Sequence, residues 1–192
     1  MKVSKWAFLF VCLVTAAAGF SLAHADEYAN TVEVFKKSPA VQPFFESAYG
    51  YAVFPTVGKA GLGVGGAYGT GQVVAQGKVT GTVKLVKVTV GWQAGAQAFS
   101  QIIFFEDKRA YDEFTSGSFE LDAAATAVAI TAGVQAKAGT AGATAGASAG
   151  PATGVQAETN YHKGMVVFVH AIGGLMYEAA VGGQKFSFEP AN

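Results

Sequence analysis

Cysteine is all but missing from this chain of 192 residues: Cys12 is its single thiol. It lies inside an N-terminal apolar run, so the sequence beyond it offers no disulfide and no cysteine ligand for a metal. Charge is also sparse. Only 14% of residues are Asp, Glu, Lys or Arg, with 13 basic against 13 acidic, which gives no global electrostatic case for a nucleic-acid partner. Beyond the first 25 residues, histidine is limited to His162 and His170. No H-E-x-x-H, H-x-H or carboxylate spacing surrounds them, and His170, inside an apolar run, reads as a core histidine. Ser47, Ser100 and Ser187 stand outside any G-x-S-x-G context. These absences leave neither a metal motif nor a nucleophile motif.

The first 25 residues have the form of an export signal. Lys2 and Lys5 give a basic start, Trp6 to Gly19 an apolar run, and Ala23-His24-Ala25 an A-x-A cleavage site before Asp26. Lipidation at Cys12 needs a small residue before it, and Val11 is not small. The expected organisation is a leader at 1–25 and one domain at 26–192, periplasmic or secreted, with a low-complexity stretch at 123–154.

Glycine and small apolar residues are what the chain has in quantity, and they concentrate in Gly50–Gly71, GYAVFPTVGKAGLGVGGAYGTG, with eight glycines. Glycine at this density suits close backbone approach or positive φ and opposes a helix, so the stretch reads as sheet with tight turns. Gly61, Gly63 and Gly66 formally make G-x-G-x-x-G. A dinucleotide site also needs a helix at the third glycine and an acid about twenty residues on. Neither is present, so no cofactor is expected.

Before this block, residues 26–48 read as short helices. Asn30 and Glu33 resemble a capping box, Val32 and Phe35 share a face, and Ser38-Pro39 looks like an N-cap and first helical position, with Pro43 limiting the second helix. Phe44 and Phe45 are assigned to core packing, flanked by Lys36 and Lys37. After the block, Val73 to Phe105 carries strand signals, with a bend or bulge expected where Gly91 and Gly95 bracket Trp92. Ile102 to Phe105 reads as a strand buried on both faces. Glu106-Asp107 opens a helix with Ala110, Tyr111 and Phe114 on one side, ended by Ser116-Gly117-Ser118.

Residues 123–154 hold 14 Ala and 6 Gly. Val128, Ile130, Ala132 and Val134 alternate as a strand would, and the four-residue repeat from Thr140 to Pro151 reads as a hairpin or loop. From Tyr161 to Phe188 the pattern is a β-meander, with turns at Gly173-Gly174 and Gly182-Gly183. The fold class expected is α+β: a long, predominantly antiparallel sheet, able to curl toward a barrel, with a few short flanking helices.

Between Ser47 and Phe105 there are four lysines, Lys59, Lys78, Lys84 and Lys87, and no carboxylate. Charge is thus polarised along the chain, and these lysines, with Lys36 and Lys37, are the candidate residues for an anionic membrane surface. Glu120 and Asp122 could share a strand face as an acid–base pair.

The blocks AYGYAVFPTVGKAGLGVGGAYGTG, VGWQAGAQAFSQIIFF and GLMYEAAVGGQKFSF, in that order, resemble the SYLF domain family over most of the chain after Asn30. That resemblance implies phospholipid binding without catalysis: phosphoinositides in eukaryotic relatives, other anionic lipids in bacterial ones. It also implies that Lys59 and the lysines after it face the lipid headgroup. Eukaryotic relatives can add an amphipathic N-terminal helix, whereas here an export signal precedes short helices, and the Ala/Gly repeat is not a family motif. The expectation is an exported phospholipid-binding protein; the alternatives are a self-associating envelope protein and a hydrolase using Glu120 and Asp122.

Overall fold

Two very long strands, joined by a two-residue turn, set the architecture. The computed structural model describes residues 26–121, 127–130, 160–181 and 183–191. Strand β1 (Gly50–Ala75) runs antiparallel to β2 (Lys78–Phe105) along almost their whole lengths. Gln76 and Gly77 make the turn with φ of 50° and 75°, the left-handed pair a tight hairpin requires. The glycine-rich block is therefore one continuous strand. The tight turns expected inside it are not there.

Instead the hairpin bends once. The β1–β2 register jumps between Leu62 and Val64, opposite residues 91–93, and Gly63, Gly91 and Gly95 carry φ of 73°, 149° and 132°. The bend expected around Trp92 is present, and glycine permits it because those φ values are strained for any residue with a Cβ. Bending brings the two arms of β1 against each other: the Gln76 N–H donates to the Tyr49 carbonyl at 3.2 Å. A Cβ on Gly71 would lie 2.8 Å from the Val53 carbonyl and 2.7 Å from the Phe54 ring, so the missing side chain is what allows the arms to touch.

The other edge of β2 is shared. Strand β5 (Met165–Val181) pairs with residues 90–105, and β6 (Gln184–Pro190) with residues 81–87. β5 and β6 thus follow one another along β2 and do not pair, so the expected meander is corrected. Gly173-Gly174 lies within β5, not at a turn: Gly174 has φ 92° and a Cβ there would meet the Ala96 carbonyl at 2.4 Å. Short strands β3 (Ser118–Leu121) and β4 (Ala127–Ile130) add to β6 and, in parallel, to β5. Among the described residues, six strands form a mostly antiparallel sheet that is not closed, with order β3-β6-β2-β5-β4 and β1 on the remaining edge of β2.

Among the described residues, three short helices cover this sheet. Helix α1 (residues 26–36) and α2 (Gln42–Ser47) pack on one face of the first arm, where Val32, Phe35 and Val41 meet Val53, Ile102, Phe104, Val166 and Phe168. Phe44 and Phe45 lie in this layer, Phe45 edge-on to Phe104 at 4.8 Å, as core packing requires. Asn30 falls inside α1 and does not cap it. Ser38-Pro39 sits in the turn between the helices, and Pro43 stands near the start of α2, where its missing N–H costs nothing. Helix α3 (Lys108–Phe114) covers the opposite face; the Asp107 carboxylate accepts from the Ala110 N–H at 2.8 Å, and Phe114 packs on Phe105 and Phe186. Ile102 to Phe105 are fully buried between these layers, as expected. Of the strand expected over Val128 to Val134, Ala127–Ile130 is seen; the rest, the Ala/Gly repeat and the leader lie outside the described residues.

Candidate functional site

Between the arms, the inner face of the sheet changes character as it nears the bend. Close to the arm contact it is apolar: Phe54, Val57, Val83 and Leu85 join Ile103, Phe105 and Phe186 in one buried cluster. Further out, the inward positions become Lys59, whose register partner is Gln97, and Lys87, whose partners are Ala67 and Gln184. Gln184 in turn accepts from the Gln101 Nε2 at 3.1 Å, and Thr89 is buried on the same face. A hydrophobic core thus ends in a polar layer, and beyond that layer the arms separate.

The gap they leave is a groove of about 730 Å³. Its walls are Gly58–Ala60 and Ala96–Ala98 on the first arm, Gly66–Tyr68 and Val86–Val88 on the second, with Gly173 and Gly174 of β5. Small residues create the space: a Cβ at Gly58 or Gly173 would meet nothing within 4 Å. Among the described residues that line the groove none is acidic, and two are lysines, Lys59 and Lys87. Lys59 is only 7% exposed.

Of the six lysines singled out from sequence, the fold brings these two together and disperses the rest. Lys84 lies on the outer face of the second arm and hydrogen-bonds Glu189, which pushes its ammonium pKa up. Lys78 is exposed beside the hairpin turn, where the arms begin. Lys36 pairs with Glu33 at 2.9 Å and stands over the Phe45 ring, while Lys37 is exposed after α1. Separation of Lys84 from Lys87 follows from the strand period of two, which sends positions 84 and 87 to opposite faces.

The other sequence candidates carry less. Gly61, Gly63 and Gly66 sit in the bend of a strand, with no helix beginning there. His170 is not a core residue: it is half-buried in a second groove of about 530 Å³, beside Asp26, Glu27 and Asn30 of α1. Glu120 is exposed on β3 opposite Lys185, and Asp122 lies outside the described residues. Among the described residues, no three His, Cys, Asp or Glu side chains are grouped to hold a metal, and no helix is long and apolar enough to cross a membrane.

One feature of the site had no counterpart in the sequence reading: large apolar side chains in water around the bend. Leu62, Val64, Val88 and Val90 are each more than half exposed. A signal existed in Lys84-x-Val86-x-Val88-x-Val90, interleaved with Val83 and Leu85. Both strand faces are apolar there, so one must be left uncovered or be covered by something else.

No protein-family model matches the chain. Over 158 residues it is 27% identical to beta cell expansion factor A of Aeromonas veronii, a match that takes in 81% of this chain and 51% of that protein. The chain thus spans about half the length of the curated relative it matches.

Proposed function

We propose that this is an exported, non-enzymatic phospholipid-binding protein of the SYLF family that docks on anionic membrane surfaces, with Lys59 and Lys87 receiving the phosphate of a lipid headgroup. The observation that carries this reading is the meeting of those two lysines in one groove, with no acid among its described lining residues, in a segment from Ser47 to Phe105 that contains no carboxylate. A phosphodiester offers acceptor oxygens and a negative charge at the scale of such a groove. A lysine ammonium matches it as a compact charge with three donors. Export rests on the leader pattern at residues 1–25, and the absence of catalysis on the motif search. The other four candidate lysines would add diffuse attraction of about 1 kcal/mol each near an anionic bilayer.

The test is co-sedimentation of the processed chain, residues 26–192, with phosphatidylcholine vesicles of increasing phosphatidylglycerol content. Lys59→Gln with Lys87→Gln is expected to weaken binding about tenfold or more at moderate salt, and Lys78→Gln with Lys84→Gln to weaken it less. Equal losses from the two pairs would reduce the groove to one part of a diffuse charge, and no binding at low salt would remove the lipid reading.

A further inference from the structure

We infer that the bend of the β1–β2 hairpin is a membrane-insertion element: Leu62, Val64, Val88 and Val90 enter the acyl region of an anionic bilayer, while Tyr68 and Lys84 stop at the headgroup level. This rests on the lipid-binding reading and adds to it an orientation and a set of inserting side chains.

Three observations converge on it. The first is exposure. Leu62 is 84% exposed, Val90 64%, Val64 63% and Val88 61%, and all lie at the bend or within two residues of it. The second is asymmetry. The outer face of the first arm is covered by α1 and α2 around Val53, Ile102, Phe104 and Phe168, which are nearly inaccessible, while no described helix lies over the equivalent face of the second arm. Apolar patches left open in this way mark interaction surfaces.

The third is an ordered gradient along that face. Register pairs run Val64 with Val90, Gly66 with Val88, Tyr68 with Val86, then Thr70 with Lys84. From bend to arm the side chains go from aliphatic, through an amphipathic tyrosine, to a cation that pairs with Glu189. At about 3.3 Å per residue the sequence from Val64 to Thr70 covers about 20 Å, the scale of one leaflet's interface and upper acyl region. Aliphatic residues in the hydrocarbon, Tyr at the boundary and Lys in the headgroups is the arrangement interfaces select. Charge favours the same occupant. No carboxylate occurs from Ser47 to Phe105, so the hairpin itself meets an anionic surface with four lysines and no acid; the acid in register with the bend is Glu178 of β5, opposite Gln93. A second copy would bring the same cationic segment against itself.

The processed chain serves for the test, because all described residues lie within 26–192 and it contains no cysteine. Nitrobenzoxadiazole would be attached at Val88→Cys or, on the same face of the same strand but away from the bend, at Thr82→Cys. Vesicles of phosphatidylcholine and phosphatidylglycerol brominated in the acyl chain are expected to quench the first label and leave the second unchanged. Equal quenching, or none, with vesicle binding intact would overturn the insertion. Independently, Val64→Asp with Val88→Asp replaces two solvent-facing side chains, and retention of the fold is checked by thermal melting. Vesicle affinity should fall at least tenfold while binding of soluble short-chain phosphatidylglycerol stays unchanged; Lys59→Gln with Lys87→Gln should weaken the soluble lipid as well. Vesicle binding that survives the aspartates refutes insertion alone. Failure of the unmodified chain to bind either lipid form refutes the headgroup reading too. A shift from dimer to monomer in the aspartate variant, without loss of vesicle binding, would assign the face to a second copy and refute insertion.

Discussion

Replacing Gly71 by alanine probes the contact that makes this fold a bent hairpin. The added methyl would lie 2.7 Å and 2.8 Å from two ring carbons of Phe54 and 2.8 Å from the Val53 carbonyl oxygen. Those distances are closer than a Cβ is found, so something must move. The Phe54 ring is fully buried and already lies 5.9 Å from the Phe186 ring, which leaves it little room, and the carbonyl belongs to the opposing arm. Overpacking of this kind costs about 1–3 kcal/mol. Alanine also restricts the unfolded chain, which offsets about 0.4–1 kcal/mol. The net loss expected is about 1–2 kcal/mol, or a fall in Tm of roughly 2–4 °C for each kcal/mol in a chain of this size. Gly58→Ala is the matched control: it sits on the same strand, and its Cβ would meet nothing within 4 Å. It should be neutral or stabilising by a few tenths of a kcal/mol. Urea unfolding of both variants gives the comparison, with m-values expected to stay equal. Phe54→Leu combined with Gly71→Ala should show favourable coupling of about 0.5–1 kcal/mol, because the smaller side chain yields to the new methyl. Equal effects at Gly71 and Gly58, or no coupling to Phe54, would refute the close approach of the arms.

Two further outcomes follow from the helices and the tyrosines. Asp107→Ala removes the carboxylate that caps α3 and should destabilise the protein by about 0.5–2 kcal/mol, with Asp107→Asn or Asp107→Ser recovering most of it in the same urea assay. Burial raises the phenol pKa of Tyr28, Tyr51 and Tyr161 above the ordinary value of 10.0, against a lowering Thr70 hydrogen bond at Tyr28 and the Lys36 charge at Tyr51. Below pH 10 both folded and unfolded chains hold these protons and the contribution to stability is complete. As pH rises through 10 the unfolded chain ionises first, so stability falls until the raised folded values are passed. Thermal melts from pH 9 upward should show that decline, and Tyr51→Phe should make it shallower; a decline of unchanged steepness would remove Tyr51 from the set.

What could be read from the sequence was whatever a short window decides. Ile102 to Phe105 has apolar residues at both parities, and only a strand covered on both faces satisfies that. Asp107 stands three residues before the N–H it caps. Gly91 and Gly95 mark a bend because no other residue is at ease with their φ. Glycine misled wherever its local signal had two meanings. Gly173-Gly174 fits a turn as well as it fits a strand pressed against a neighbour, and only the Ala96 carbonyl, far off in sequence, decides between them. The order of β5 and β6 along β2 was hidden for the same reason. Two apolar runs joined by two glycines resemble a hairpin, and their choice of β2 as a common partner is not written in either run. For the site, the sequence supplied a set of six lysines and no means of dividing it by face. Lys84 and Lys87 differ by three positions, and their faces become known only when the inner side of β2 is fixed by Val83 and Leu85.

The division of labour between the arms then follows from one asymmetry. A hairpin long enough to fold over itself has four apolar faces to satisfy, two inner and two outer. The inner pair satisfy each other near the contact at Gly71 and turn polar at Lys59 and Lys87, where the arms part. The outer face of the first arm is closed by two helices drawn from the segment just ahead of it in the chain. The fourth face carries Val64, Val86, Val88 and Val90 and is closed by nothing among the described residues. Residues that only stabilised the sheet could be threonine there at little cost, since exposed valines gain nothing from burial. Valine on that face becomes favourable when an apolar phase covers it, and the same phase would carry headgroup phosphates past Tyr68 toward the lysines in the groove. Val86→Thr, Val88→Thr and Val90→Thr together should therefore leave stability within about 1 kcal/mol while weakening vesicle binding, whereas an equal loss of stability would show that the valines serve the fold itself.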